Sequence, residues 1–236
     1  MSRDTFRPGA RRPDVLIFDV NETLTDMGRL GERLAGVGLP AAGLATWFAG
    51  VLRDGIALTL AGGHASFADV AADGLRTMLA RARPGDDPEP LVERVLSGLP
   101  ALPVHPDVPD GVRALRTAGH RLLTLTNGSR DTTRSVLARA GLEECFEAHL
   151  DVEGADGLWK PHPAAYAHAL RAADVRAGAA MLVTVHPWDA DGAARAGLRT
   201  AWLRRTPAPY PSAVHPADVR ATGVTDLARQ LAHAPG

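Results

Sequence analysis

The chain has 236 residues, 45% of them hydrophobic, and a formal net charge of −1 at pH 7. This balance offers no basic surface for nucleic acid or an anionic membrane, and no apolar segment reaches the length that spans a bilayer. A single cysteine, Cys145, excludes an internal disulfide and a multi-cysteine metal site. We therefore expect a cytoplasmic protein that binds neither nucleic acid nor membrane.

The first hundred residues predict a tail, one strand and a helical segment. Residues 1–12 hold four arginines and no apolar run, so they are predicted to form a flexible tail. The apolar residues 15–18 predict a buried strand that ends at Asp19. From residue 28 to about 100, apolar residues recur at spacings of three and four, which indicates helices.

From residue 107 onward, helices alternate with short apolar strands. Helices are predicted at 107–120, 130–142, 162–175, 189–198 and 224–234, and strands at 121–126, 148–153, 179–185 and 199–205. The last of these strands is predicted to be edge-like. The alternation predicts an α/β protein with a Rossmann-like parallel sheet and helices on both faces. Residues 13–26 and 104–236 would form this core, and residues 27–103 a helical cap inserted after the first strand.

Polar residues stand at four predicted strand ends or loops, where ligands bind in open parallel sheets. They are Asp19 and Thr23, Thr126 and Asn127, Lys160, and Thr184, His186 and Asp189. A carboxylate needs no deprotonation at neutral pH to act as a nucleophile and form an ester. Lys160 would hold it, Thr23 would fix its rotamer, and Asp189 or His186 would be the base for water. Each residue alone also fits an ordinary turn or helix cap.

The same residues carry a family resemblance. The segment FDVNETL matches the D-x-x-x-[T/V] signature of the haloacid dehalogenase superfamily, and TLTNGS, WKPHPAAY and VTVHPWDADGAARAGLRTAW follow in order. The sequence is most similar to the L-2-haloacid dehalogenase (type II) branch. The resemblance implies an Asp nucleophile that forms an ester, a small halogenated acid as substrate, and no metal or cofactor.

The resemblance also implies a role for each matching position. The implied catalytic residues are Asp19, Thr23, Lys160, Asp189 and His186. The implied substrate-binding residues are Val20, Asn21, Thr126, Asn127, Tyr166, Thr184, Leu58 and Trp188. A homodimer through cap and core helices is common in the family. The apolar face of Trp47, Phe48, Val51 and Leu52 suits either such an interface or packing inside the cap.

Asn21 separates two kinds of hydrolysis. Phosphatase branches of the superfamily place a second Asp two residues after the nucleophile, where it protonates the leaving oxygen, and they hold Mg²⁺ with further acids. Asn21 has no carboxyl proton to donate, and His186 stands where the first of those later acids is expected. The pattern therefore favours metal-independent displacement of a halide, which needs no proton.

Two positions depart from the dehalogenase pattern. Leu58 falls where the branch has a cap Arg that grips the substrate, and Leu offers no bidentate contact. His186 stands where the branch has Asn. Two alternatives therefore stay open: a Mg-dependent phosphatase of the same superfamily, and a repurposed, non-dehalogenating member that binds a metabolite.

Overall fold

The computed structural model describes residues 12–233. Its strands are β1 Val15–Phe18, β2 Arg121–Thr126, β3 Ala148–Asp151, β4 Ala180–Thr184, β5 Arg199–Leu203 and β6 Val219–Ala221. They form one sheet in the order β3-β2-β1-β4-β5-β6, and all the pairs are parallel. The predicted α/β fold with a Rossmann-like sheet is confirmed.

The helices are α1 Gly28–Gly36, α2 Gly43–Leu60, α3 Phe67–Ala82, α4 Glu89–Leu96, α5 Val108–Thr117, α6 Arg130–Arg139, α7 Pro163–Ala173, α8 Pro187–Arg195 and α9 Val224–Ala232. Short 3-10 turns lie at Leu99–Ala101, Glu143–Cys145, Val152–Ala155 and Ala177–Ala179.

The central strand is buried on both faces because its residues alternate between two apolar clusters. Leu16 and Phe18 pack in the cluster that includes the apolar sides of α5 and α9. Val15 and Ile17 pack in the cluster that includes α7. All four β1 residues are fully buried, so the strand is held rigidly and its carboxyl end is fixed relative to both helical layers.

A third apolar cluster lies in the segment predicted as the cap. It joins α1, α2, α3 and α4, and it includes Trp47, Phe48 and Val51 as buried members with Leu52 packed against them. The indole Nε1 of Trp47 donates to the carbonyl oxygen of Ala71 at 3.0 Å. The same cluster includes core residues such as Val136 and Trp159, and the Phe48 ring lies 6.3 Å from the His186 ring, centroid to centroid. Trp47, Phe48 and Val51 are therefore buried against both the cap and the core and are not an exposed surface for dimer formation.

One strand prediction was wrong. β5 is not at the edge of the sheet, because it pairs with β4 on one side and with β6 on the other. β6 has three residues, too few for an alternating pattern to identify it. The domain boundaries at residues 26–27 and 103–104 stay a prediction, and the predicted tail falls almost wholly on residues 1–11, outside the described residues.

Candidate active site

Two carboxylates share one ammonium group at the carboxyl end of the sheet. Lys160 Nζ lies 2.8 Å from Asp19 Oδ1 and 2.8 Å from Asp189 Oδ2. Thr23 Oγ1 donates to Asp19 Oδ2 at 2.6 Å. Lys160 is the only lysine of the sequence, and it is 0% exposed. We call these four residues the carboxylate–lysine cluster.

Backbone contacts place the cluster. The amide of Asp19 donates to Val183 O at 3.0 Å, which ties the end of β1 to β4. Thr23 Oγ1 accepts from the amide of Val185 at 3.1 Å, so the loop after β1 is tied to the end of β4 as well. Asp19 therefore has little freedom to move away from the sheet.

The Lys160 backbone is fixed by Asn127. The amide of Lys160 donates to Asn127 Oδ1 at 2.8 Å, and Asn127 Nδ2 donates to the Lys160 carbonyl at 3.3 Å. The Lys160–Pro161 peptide bond is cis. Asn127 thus has a structural contact that the sequence did not indicate, although it also lines the cavity described below.

The charges of the cluster support one another. Burial alone would raise the pKa of Asp19, but Lys160 first, and then His186 and Thr23, more than offset this effect, and the net pKa of Asp19 is lowered. Burial alone would lower the pKa of Lys160, but Asp189 and Asp19 raise it above its ordinary value. The cluster is therefore an ion triad in which Asp19 is held ionised.

Tyr166 and Thr184 do not line the cavity as expected for substrate-binding residues. Tyr166 is fully buried, and its hydroxyl donates to Asp189 Oδ1 at 2.7 Å. Burial, followed by the Asp189 charge, raises the pKa of Tyr166 well above its usual value, so the phenol stays protonated and donates. Thr184 is fully buried too, and its Oγ1 accepts from the His186 amide at 3.0 Å. Tyr166 therefore contacts Asp189, and Thr184 contacts the backbone of His186. Neither residue lines the cavity.

His186 borders the cluster. Its Nε2 lies 3.6 Å from Asp19 Oδ2 and 3.2 Å from the carbonyl oxygen of Asn21. Since a carbonyl oxygen only accepts, this contact places a proton on Nε2. The ring stacks on Trp188 with centroids 5.2 Å apart. Trp188 therefore supports His186 and is not a residue of the cavity lining.

A cavity of about 260 Å³ lies next to the loop that follows β1, and Asp19 itself is not among its lining residues. The two residues after Asp19, Val20 and Asn21, line it together with Thr126 and Asn127. That these four residues bind substrate stays a prediction from the family resemblance. The segment predicted as the cap contributes Ser66, Phe67, Ala68, Leu99 and Leu102, and the remaining lining residues are Thr25, Gly128, Ser129, Thr132, Thr133, Val136, Asp151 and Glu153. Asp151 and Glu153 were missed because single acids at the end of β3 and just after it form no recognisable pattern.

Leu58 does not belong to this site. It is 39% exposed and is absent from the cavity lining. Its neighbour Thr59 faces the core, since Thr59 Oγ1 accepts from the Trp159 amide at 3.2 Å. Consecutive helical residues point about 100° apart, so a count along α2 that is off by one residue selects the wrong face. Arg53 does not replace it either, because its exposed side chain pairs with Asp54.

Trp159 connects the cap to the cluster. It directly precedes Lys160, and its Nε1 donates to the Ala65 carbonyl at 3.1 Å. Its ring stacks on Phe67 with centroids 5.9 Å apart. A Cβ added at Gly55 of α2 would overlap the same ring, so glycine allows close approach there. The only sequence signal for this contact is the large aromatic residue directly before Lys160.

Arg205 supports the loop after β1 from the other side. Its Nε and Nη2 donate to the Thr23 carbonyl at 3.0 and 2.7 Å, and its Nη1 lies 2.8 Å from Asp107 Oδ1. Burial would raise the pKa of Asp107, but the hydrogen bond from Arg205 lowers it overall. No motif indicated this long-range contact.

No helix in residues 12–233 is both long and apolar enough to cross a membrane. Over the same range, no group of three or more His, Cys, Asp or Glu side chains is arranged to hold a metal ion.

The parallel sheet, the helical segment after β1 and the buried cluster at the strand ends define a capped α/β enzyme. Comparison with known proteins makes the family specific. The chain belongs to the haloacid dehalogenase-like hydrolases, whose family pattern matches residues 13–197.

Individual relatives include two kinds of enzyme. Haloacetate dehalogenase H-2 of Moraxella sp. (strain B) is 37% identical over 100 residues, 42% of this chain and 44% of the relative. Phosphoserine phosphatase of Thermus thermophilus is 36% identical over 104 residues, 44% of this chain and 41% of the relative. These alignments span less than half the length of the curated relatives. The structure of the L-2-haloacid dehalogenase RSc1362 superposes with a TM-score of 0.86 at 26% identity, over 94% of this chain and 100% of that one.

Proposed function

We propose that the protein is a hydrolytic dehalogenase that forms an ester on Asp19 and uses no metal ion. The carrying observation is the ionised Asp19 carboxylate, held between Lys160 and Thr23 at the carboxyl end of the sheet. The similarity to haloacetate and L-2-haloacid dehalogenases supports this assignment. A 2-halogenated carboxylic acid or a derivative of one is the proposed substrate class.

In the first step, an Asp19 carboxylate oxygen attacks the carbon that bears the halogen. The halide leaves with the bonding electron pair, and an ester joins Asp19 to the substrate carbon. Attack opposite the leaving group inverts that carbon. Formation of the ester removes the charge of Asp19, so the Lys160 ammonium then pairs with Asp189 alone.

In the second step, water attacks the carbonyl carbon of the Asp19 ester. We assign the proton acceptor to Asp189, because His186 Nε2 already carries a proton toward Asn21 O. When the tetrahedral intermediate collapses, the bond to the substrate oxygen breaks and that oxygen takes the proton from Asp189. This releases a 2-hydroxy product and restores the Asp19 carboxylate, with one proton lost to solvent. Tyr166 keeps Asp189 in place through its 2.7 Å hydrogen bond.

Isotope labelling tests the ester. In water enriched in oxygen-18, with enzyme in excess over a 2-haloacid derivative, we expect one heavy oxygen in the peptide that contains Asp19. Asp19→Asn should lose halide release by about 10⁵-fold or more, as nucleophile removal does elsewhere. The matched control Asp14→Asn changes an exposed Asp just before β1 and should leave halide release intact. Label in the product with none in the enzyme would reject the ester.

Asp189 and His186, the two candidate proton acceptors, are distinguished by the step at which the reaction stops in each variant. Asp189→Asn should allow the halide to leave and the ester to accumulate, because only the water step needs the acceptor. His186→Ala should still turn over. Accumulated ester in His186→Ala, with normal hydrolysis in Asp189→Asn, would reverse the assignment. Mass spectrometry of the intact protein detects the ester.

The second candidate function is a Mg-dependent phosphatase, favoured by the similarity to phosphoserine phosphatase. Asn21 argues against it, because an amide donates no carboxyl proton to a leaving alkoxide. We expect no Mg-dependent turnover of p-nitrophenyl phosphate. Turnover that requires Mg²⁺ and is lost in Asp19→Asn would favour the phosphatase instead.

Cytoplasmic location and a homodimer stay predictions from the sequence.

A further inference from the structure

The loop after β1 holds one residue in a backbone conformation that favours glycine. Glu22 has a φ of 61°, in the left-handed region where a side chain costs free energy. It directly precedes Thr23, whose hydroxyl donates to Asp19 Oδ2 at 2.6 Å. A residue other than glycine keeps this conformation only where surrounding contacts fix it. The contacts of the Glu22 backbone therefore bear on the position of the Thr23 hydroxyl.

Three consecutive carbonyl groups of this loop each accept a hydrogen bond from a side chain. For residues 21, 22 and 23 in turn, the donors are His186 Nε2 at 3.2 Å, His105 Nε2 at 3.0 Å, and the Arg205 guanidinium at 3.0 and 2.7 Å. Because a carbonyl oxygen only accepts, both imidazole rings donate from Nε2. The three side chains line a second cavity, of about 380 Å³. The loop backbone is thus held from that side by three separate parts of the chain.

His105 is itself fixed beside Glu22. The His105 amide donates to the Leu24 carbonyl at 2.9 Å, so the ring is carried by a segment that runs alongside the loop. Burial, followed by the Arg205 charge, lowers the pKa of His105, which favours the neutral ring with its proton on Nε2. The Glu22 amide donates to Thr25 Oγ1 at 3.3 Å. Of these two contacts to the Glu22 backbone, the one with His105 is the shorter.

We propose, resting on the dehalogenase function above, that His105 is a positioning residue for the attack by Asp19. Its hydrogen bond to the Glu22 carbonyl holds that residue in the left-handed conformation. The conformation of Glu22 sets where Thr23 presents its hydroxyl to Asp19. Without the hydrogen bond, Glu22 can return to the right-handed region, which redirects the chain just before Thr23. His105 is not among the residues that line the cavity next to Asn21, so it acts through the backbone.

The Glu22 carboxylate offers a different explanation for this residue. Glu22 Oε2 lies 3.9 Å from His186 Nε2, so the charge itself could be what the loop requires. Glu22→Gln removes that charge but keeps a side chain at positive φ, and it should react as the wild type does. Glu22→Gly removes the need for an external contact, because glycine adopts positive φ at no steric cost. A loss of kcat in Glu22→Gln equal to that in His105→Ala would overturn the inference in favour of the carboxylate.

A double-mutant cycle of His105→Ala and Glu22→Gly tests the backbone role. His105→Ala should lower kcat for chloride release from 2-chloropropionate by about tenfold, which corresponds to about 1.4 kcal/mol. KM should change little, because His105 holds the loop and not the substrate. With Glu22→Gly already present, His105→Ala should lower kcat by no more than about twofold. An equal loss in both backgrounds would overturn the inference.

His105→Gln is the conservative variant and guards against poor folding of His105→Ala. Its amide keeps an N–H donor near the position of Nε2, so it should retain most of the wild-type kcat. A loss as large as that of His105→Ala would overturn the inference, because the hydrogen bond would then not be the property that counts.

Two matched controls lie far from the loop. His233 Nδ1 also bonds to a carbonyl, Arg229 O at 2.7 Å, in an exposed position, and His233→Ala should leave kcat intact. Asp174 also has a positive φ, of 53°, at the end of α7. Asp174→Gly relieves similar strain and should not restore kcat to His105→Ala. Restoration by Asp174→Gly would overturn the inference, because it would show a general effect of stability.

Urea unfolding distinguishes failure of the inference from failure of the function. His105→Ala should lower the urea midpoint by about 0.5 M, as expected for one hydrogen bond, and by less when Glu22→Gly is present. If no compound releases halide, the dehalogenase function fails, yet this coupling in unfolding still supports His105 as the residue that fixes the loop. If the wild type releases halide but neither kcat nor unfolding shows coupling, the inference is overturned and the function stands.

Discussion

The carboxylate–lysine cluster and the cavity beside it share the carboxyl end of the sheet but balance charge differently. In the cluster, each carboxylate contacts the enclosed Lys160 ammonium. In the cavity, Asp151 and Glu153 face a lining without a cation among the described residues. Under the proposed function, the chemistry at Asp19 depends on charges that are paired within the protein, so it can change independently of the residues that line the cavity.

The largest expected effect is the removal of the shared ammonium. Lys160→Met leaves two buried carboxylates facing each other and should cost about 3–5 kcal/mol of unfolding free energy, the usual penalty for breaking a buried ion pair. Halide release should be lost as well. Urea unfolding and chloride release measure both. Lys160→Arg is the comparison variant: it keeps the charge but brings a larger planar group.

Because Lys160 is the only lysine of the sequence, chemical labelling of lysine measures whether solvent reaches the cluster. An amine-reactive acylating reagent should leave Lys160 unmodified in the native protein and modify it after unfolding. Rapid native modification would show that the cluster is open to solvent, against the contrast drawn above.

Arg205 tests whether the cluster depends on distant support. Arg205→Lys loses the paired donors to the Thr23 carbonyl, and we expect a loss of about 1.5–3 kcal/mol, as for hydrogen bonds that involve charged groups. As a positioning residue, Arg205 should affect kcat more than KM. Arg204→Lys, at an exposed neighbour, is the control. If Arg205→Lys and Arg204→Lys lost kcat and stability equally, this would contradict the idea that Arg205 supports the cluster.

A pair of glycines in α2 tests the boundary between cap and cluster. Gly55→Ala should cost about 1–3 kcal/mol, because the new methyl overlaps the Trp159 ring next to Lys160. Gly50→Ala has no neighbour within 4 Å of its added Cβ and should stabilise the helix by about 0.5–1 kcal/mol. Thermal and urea unfolding give both values. The same sign for both would contradict the close contact.

The smallest expected effect tests whether position 58 of α2 belongs to the cavity. Leu58→Arg introduces the cap arginine that the family resemblance implied, but on an exposed part of α2. Stability should change by no more than about 0.5 kcal/mol, and kcat/KM for 2-chloropropionate should stay as in the wild type. A large gain for the acid would place position 58 at the site and contradict the structure.

Some features follow from the sequence because they are local. Four apolar residues before Asp19 indicate a buried strand with a polar end, and parallel strands bring such ends to one edge. Asp19, Thr23, Lys160 and Asp189 were selected in this way, and the structure places them in contact. The family resemblance rests on the same residues.

Other features were decided by tertiary structure alone. Helix rotation put Leu58 outside the cavity and Thr59 against Trp159. Packing buried Tyr166 and Thr184 against Asp189 and His186, outside the cavity lining. The three-residue strand β6 forms the edge of the sheet, so β5 lies inside it. Sequence spacing determines which residues share an element, because backbone geometry is local. It does not determine which face of one element meets another, because that depends on side-chain packing and charge across residues that lie far apart in the chain.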